Sequence, residues 1–276
     1  MPEDIIRIGN VEIISLSDAD LNFPAADFFP TISAETWNSH RQYLGDDGNL
    51  HPNAGCFAVR SSGRTILIDT GYGPSLAGRL FDQLAAKGVN IDDIETVTFT
   101  HLHPDHVGWN MRSDGKESSG VESRPSFPRA RYLMPQADFD FFTSAGSLEN
   151  FPYIKDQILP LVELDLVDYV EPETDLTPEI RVWSTPGHTP GHVSFLINSA
   201  GERAVILGDV AHSPVQAHET DWNPGFDVLQ DQSRATRHTV FDRLEQEGMT
   251  IAAGHFPKPG FGKLVRVEGK RIWQAL

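Results

Sequence analysis

The sequence predicts an α/β fold in which two β-sheets pack face to face with helices on the outside. Three observations predict it. Short apolar segments of strand length recur in both halves of the 276-residue chain. Segments with helical spacing lie between them, and glycine and proline punctuate the joins. Strands therefore come in blocks in both halves of the chain with helices between them, a pattern that suggests two sheets packed face to face.

VEIISLSD at 11–18 reads as a strand near the start. FAVRSS at 57–62 and TILIDTG at 65–71 read as a hairpin, with glycine at the turn. In the stretch 78–88, Leu80, Phe81 and Leu84 fall on one helical face, and Gly88 closes the segment. IETVTFT at 94–100 reads as a buried strand. QADFDFFTSAG at 136–146 and the run 151–167 read as partly helical, the second interrupted at Pro160. Three further strands are expected at 179–185, 193–199 and 203–209. An amphipathic helix at 233–248, a short strand at 249–255 and a closing strand or hairpin at 263–273 complete the chain.

The whole length, 1–276, reads as one domain. Residues of about 18–55 form an N-terminal flap-like segment. Its stretch 18–37 is apolar yet proline-punctuated, which leaves open whether it is core or a cover over a pocket. The polar stretch 112–128 reads as a surface loop. A hydrophobic content of 39% and a charged content of 22% are those of a soluble globular protein. No apolar run reaches bilayer-spanning length, and the acidic start MPEDIIRIGN does not have the pattern of a signal peptide. The only cysteine, Cys56, excludes an internal disulfide and fits a reducing, cytoplasmic setting. A net charge of −17 keeps the surface soluble and repels nucleic-acid phosphates and anionic membranes, so neither is an expected partner.

The chemistry is concentrated in THLHPDHVGW at 100–109. Imidazole and carboxylate are the ligands of borderline metals such as zinc. His101 and His103, two apart at a strand end, share a face if strand geometry persists. Asp105 and His106 follow Pro104, where the chain can turn. Four donors so close together suit two adjacent ions better than one. Further donors stand at other strand or turn ends: His188 in STPGHTPGH, Asp209 in VILGDVAH and His255 in IAAGHFP.

These motifs, in this order, resemble the signature of the metallo-β-lactamase-fold hydrolases, from ILIDTG at 66–71 to His255. The resemblance implies a four-layer αββα sandwich with a metal site at one edge of the two sheets. It implies that His101, His103 and His188 hold one ion, that Asp105, His106 and His255 hold a second, and that Asp209 bridges them. The ions would be two divalent metals, zinc first, with manganese, iron(II) or cobalt(II) as other candidates. His192 matches a supporting position, and Asp69 one that orders the metal-binding loop. Cys56 lies outside the motifs, so the zinc β-lactamases that use a cysteine ligand do not match.

The pattern is closer to glyoxalase II, acyl-homoserine lactonases and methyl parathion hydrolases. Lactonases often carry a tyrosine three residues after the bridging aspartate. His212 stands there, which is more similar to the methyl parathion hydrolase pattern. Trp109 stands where many relatives have glycine, which implies a narrower pocket on that side. Dimers are common among such relatives, so a homodimer is one open assembly.

Two close ions lower the pKa of a shared water from about 15.7 towards about 7, which supplies a hydroxide nucleophile. Asp209, Asp105 and His212 are the candidate catalytic residues, with His212 as a donor to a substrate oxygen or leaving group. The expected reaction is cleavage of a small ester-type bond in a lactone, carboxylic ester or organophosphate triester. Two alternatives share the fold: an iron-dependent sulfur dioxygenase and a phosphodiesterase. Phe23, Phe28, Phe29, Trp222 and Phe226 are candidate pocket walls. His40, His51, His218 and His238 are read as structural residues.

Overall fold

The computed structural model describes residues 3–112 and 123–276. The first seven-stranded sheet runs Ile5–Ile8, Val11–Asp20, Asn53–Ser61, Arg64–Ile68, Ile94–Thr98, Arg131–Pro135 and Val167–Val170 in spatial order. Its first four strands pair antiparallel, and the pairs from Arg64–Ile68 onward are parallel. The second seven-stranded sheet runs Asp175–Thr177, Ile180–Ser184, Val193–Ser199, Glu202–Ile206, Thr250–Ala252, Phe261–Val267 and Lys270–Ala275. Only Glu202–Ile206 and Thr250–Ala252 pair parallel there.

Strands buried on both faces read as continuous apolar runs, and the alternation of side chains assigns each face to a layer. Ile13, Val59, Ile66 and Ile68 of the first sheet point inward, against Val182, Phe195, Ile206 and Ala252 of the second. Their neighbours Ile14, Ala58 and Leu67 point outward, into a layer with Leu80, Leu84, Phe142, Ile154 and Leu161 from the helices. On the far side, Val205 and Ile251 pack under Val240, Phe241 and Leu244 of the long helix Gln230–Glu247. The result is the αββα sandwich of the metallo-β-lactamase fold.

The hairpin at 57–71 forms as expected. Ser61 pairs with Arg64 across Ser62 and Gly63, which both take positive φ, at 52° and 77°. The closing segment is a hairpin, Phe261–Val267 with Lys270–Ala275. Gln230–Glu247 begins three residues earlier than the amphipathic pattern and ends on Gly248 at φ 61°. The run 151–167 divides into Tyr153–Gln157 and Leu159–Glu163, and Val167 already belongs to a strand. Pro160 sits in the first turn of the second helix, where its missing N–H costs nothing. Strands Ile5–Ile8, Arg131–Pro135 and Asp175–Thr177 escape the sequence reading because each is short and interrupted by polar residues or proline. Most of the stretch expected as a polar loop at 112–128 lies outside the described residues. Among the described residues, no helix is long and apolar enough to cross a membrane.

This topology positions the site. Asp69 follows Arg64–Ile68, and His101 follows Ile94–Thr98. Asp209 follows Glu202–Ile206, and His255 follows Thr250–Ala252. All four lie just beyond the carboxyl ends of parallel-paired strands, where α/β sheets open a crevice.

Candidate metal centre

The loop after Ile94–Thr98 is shaped by Asp69, which takes φ 62°. Its carboxylate accepts the Thr100 backbone N–H (2.8 Å) and hydroxyl (2.9 Å), and the Thr70 N–H donates to the His106 carbonyl. His103 is extended, and Pro104 then opens the short helix Pro104–Val107, which turns Asp105 and His106 back toward His101. The turn closes only because glycine is present. A Cβ on Gly108 would lie 2.2 Å from the Tyr72 carbonyl. At the other edge, Gly208 at φ 58° sets Asp209, and a Cβ there would strike the His192 ring at 2.6 Å.

All seven residues singled out as ligands come together. His101, His103 and His188 form one group of donors within 4.8 Å of one another, and Asp105, His106 and His255 form another. Asp209 stands between them. Its Oδ2 lies 3.1 Å from His255 Nε2, 3.2 Å from His188 Nε2, 3.4 Å from His106 Nε2 and 3.6 Å from His101 Nε2. His212 Nε2 is also 3.1 Å from it.

The outer side of these rings decides which nitrogen faces inward. His106 Nδ1 is 2.9 Å from Asp69 Oδ2, His188 Nδ1 is 2.7 Å from Asp227 Oδ1, and His255 Nδ1 is 2.8 Å from the Asn53 carbonyl. With Nδ1 donating outward, each Nε2 presents a lone pair to the centre. His103 presents Nδ1 instead, 3.0 Å from His101 Nε2 and 2.8 Å from His188 Nε2. The buried His106 Nε2 has no hydrogen-bond partner, and neither nitrogen of His212 has one. Converging lone pairs and orphaned buried nitrogens beside carboxylates are the donor set of divalent borderline cations, so the residues fit such ions.

The electrostatics agree. Burial pushes the Asp209 carboxyl up, but His255, His106 and His212 outweigh it and hold the group well below the usual carboxylate range. Burial keeps His101 and His103 neutral, helped by the imidazoles beside them. His188 is pushed up to about 9, because Asp209 and Asp227 outweigh its burial. A cation entering this group therefore competes with a proton.

His192 supports the centre: its Nε2 accepts the Asp209 backbone N–H at 2.8 Å, and burial holds its pKa down at about 3. Three supporting residues were not apparent in the sequence. Asp227 ties His188 to the fully buried Arg237. Asn53 holds His255, across from the first sheet. Asp138, buried and pushed up to about 6, accepts the Leu102 and Gly191 N–H groups and the Thr189 hydroxyl. Each lies far in sequence from the residue it holds. The only available signal was a carboxylate or amide in an otherwise apolar stretch.

A cavity of about 330 Å³ opens onto the centre. His103, Asp105, His188, Asp209, His212 and His255 form its floor, and Phe23, Phe28 and Phe226 form walls as expected. Phe29 and Trp222 do not line it; they pack behind Phe28 with Trp37. Trp109 does not line it either. Its indole N–H donates to Asp18 Oδ1 at 2.8 Å and its ring packs on Phe81, because Asp18 gathers the 72–80 loop and draws the indole away from the cavity. Tyr72, Phe151 and Tyr153 complete the walls and escaped the sequence reading.

Comparison with known proteins matches residues 54–255 to the Metallo-beta-lactamase superfamily, and the chain belongs to that family. It is 25% identical over 185 residues to the N-acyl homoserine lactonase AttM of Agrobacterium fabrum, covering 64% of this chain and 63% of that one. The matched region thus spans about three-fifths of that relative's length. Among solved structures, the hydrolase AbOPH of the β-lactamase superfamily superposes with a TM-score of 0.85 at 26% identity. The dizinc quorum-quenching lactonase AidC superposes with a TM-score of 0.83 at 23% identity. Each comparison covers 99% of this chain and 96% of the other.

Proposed function

We propose that the protein is a dinuclear-metal hydrolase that cleaves a small ester-type bond, with a lactone as the leading substrate class and aryl esters and phosphotriesters next. The observation that carries this reading is the single oxygen, Asp209 Oδ2, set within 3.1–3.6 Å of five imidazole nitrogens from five separate positions. The similarity to AttM supports the lactone class.

In this reading His101, His103 and His188 would hold one ion, Asp105, His106 and His255 the other, and Asp209 would contribute to both. When bound, the ions supply Lewis acidity and an activated water. The chain's own residues do the rest. Asp69, Asp227 and Asn53 fix the imidazole tautomers. His192 fixes the backbone of Asp209. His212 lines the cavity floor with neither ring nitrogen in a hydrogen bond, which suits it to donate an N–H to a substrate oxygen. Phe23, Phe28 and Phe226 exclude water and receive the apolar part of the substrate.

The test is turnover of a panel of lactones, aryl esters and phosphotriesters by metal-replete protein. Lactone hydrolysis with the highest kcat/KM is expected. No turnover of any of the three, with the metal content full, overturns the reading.

A further inference from the structure

A second group of metal-seeking side chains lies away from this centre. His40, on the N-terminal segment, and His218 and Glu219, at the end of the turn Pro214–Ala217, bring three donor atoms within 4.8 Å of one another. His40 Nδ1 lies 3.0 Å from the Thr36 carbonyl, which fixes the proton there. Its Nε2 then presents a lone pair toward Glu219 Oε1, 3.1 Å away. Two acceptors facing each other need a cation between them, either a second proton on the ring or a metal ion.

The same Glu219 oxygen lies 3.8 Å from His218 Nε2, while the Tyr43 hydroxyl, 3.4 Å from His218 Nδ1, occupies the other side of that ring. The donors are reachable from solvent: the side chains of His218 and Glu219 are 17% and 36% exposed. A tetrahedral ion with bonds of about 2.0–2.1 Å places its donors about 3.3 Å apart; the 3.1 Å His40–Glu219 separation is close to that, and the 3.8 Å His218–Glu219 one lies about 0.5 Å above it.

We propose that His40, His218 and Glu219 form a third cation site, which takes a divalent ion of the zinc type and fastens the N-terminal segment to the 214–227 loop. The two strands of chain already meet nearby, where the Gly225 N–H donates to the Phe28 carbonyl at 2.9 Å. A continuous run of aromatic contacts carries the position of the clamp to the cavity wall. His40 packs on Trp222, Trp222 on Phe29, Phe29 on Phe28, and Phe28 on His212. The ion therefore steadies the wall that Phe28 supplies, without touching the substrate.

The experiment is equilibrium dialysis of the full chain against micromolar zinc, for wild type, His218→Ala and Glu219→Gln, with thermal unfolding run in parallel. The expected result is one zinc fewer per chain in both variants, or binding of that equivalent weakened at least tenfold. The zinc-dependent rise in Tm should also be smaller in both. The readout is the difference between wild type and variant, so it does not depend on the occupancy or activity of the central site. Equal zinc content and an equal zinc-dependent Tm rise in all three proteins would overturn the proposal and leave His40 and Glu219 as a proton-bridged ion pair.

Discussion

Asp227 Oδ1 lies 2.7 Å from His188 Nδ1, with both side chains buried and Arg237 on the far side of the carboxylate. This pair fixes the His188 tautomer from a distance of 39 residues in sequence. In Asp227→Asn the amide oxygen can still accept the Nδ1–H, but the carboxylate charge that strengthens that bond is gone and the amide NH2 faces the Arg237 guanidinium. Metal affinity should fall about 10–100-fold, with the circular dichroism spectrum unchanged. Zinc titration with a competing chelator measures it, and unchanged affinity would remove Asp227 from the support of the centre.

His212 tests the chemistry separately from the metal. It lines the cavity, lies 3.1 Å from Asp209 Oδ2, and has no hydrogen-bond partner of its own. His212→Ala should lower kcat/KM by about a hundredfold and leave the metal content at its wild-type value. A loss of one ion would instead make His212 a ligand, and a change below several-fold would make it a bystander.

Phe226 tests the apolar wall. It is 39% exposed, and its ring meets Phe28 at 4.8 Å and His212 at 5.3 Å. Because the ring is partly exposed, Phe226→Ala should fold normally. It should raise KM for long-chain or aryl substrates about tenfold and leave short-chain substrates nearly unaffected. Steady-state kinetics across a chain-length series checks this, and a uniform effect on all lengths would contradict it.

The acid limb of stability should report on Glu245. Burial pushes its carboxyl up, but hydrogen bonds from Arg266 and Arg271 outweigh that and lower its pKa below the ordinary 4.5. A depressed folded-state pKa contributes stability that is present above the unfolded value and is lost as pH falls through the folded one. Glu245→Gln should therefore cost about 1 kcal/mol or less at pH 7 and flatten the loss of stability below about pH 4.5. Urea unfolding at several pH values measures it, and a mutant effect that does not shrink toward pH 3 would contradict it.

The sequence made the candidate donor cluster readable because its donors end apolar strands or sit in turns marked by glycine or proline. The motif therefore marks both the residue and its place in the fold. Asp227, Asn53 and Asp138 were not readable for the opposite reason: each acts on a residue from a different element, and only the tertiary fold brings them together. Trp109 shows the same limit. Its place in the family pattern implied a pocket wall, but the indole follows Asp18, a partner 91 residues away. Strands such as Arg131–Pro135 take their conformation from parallel pairing with Ile94–Thr98 and Val167–Val170 rather than from their own pattern.

The proposed two-ion centre, with Asp209 as its bridge, is tested most directly by elemental analysis of metal-replete protein, carried out on the His218→Ala background so that only this centre is read. The account predicts about two divalent ions per chain, falling to one or fewer in the additional variant Asp209→Ala. A single iron per chain, or two ions still bound after Asp209→Ala, would contradict it.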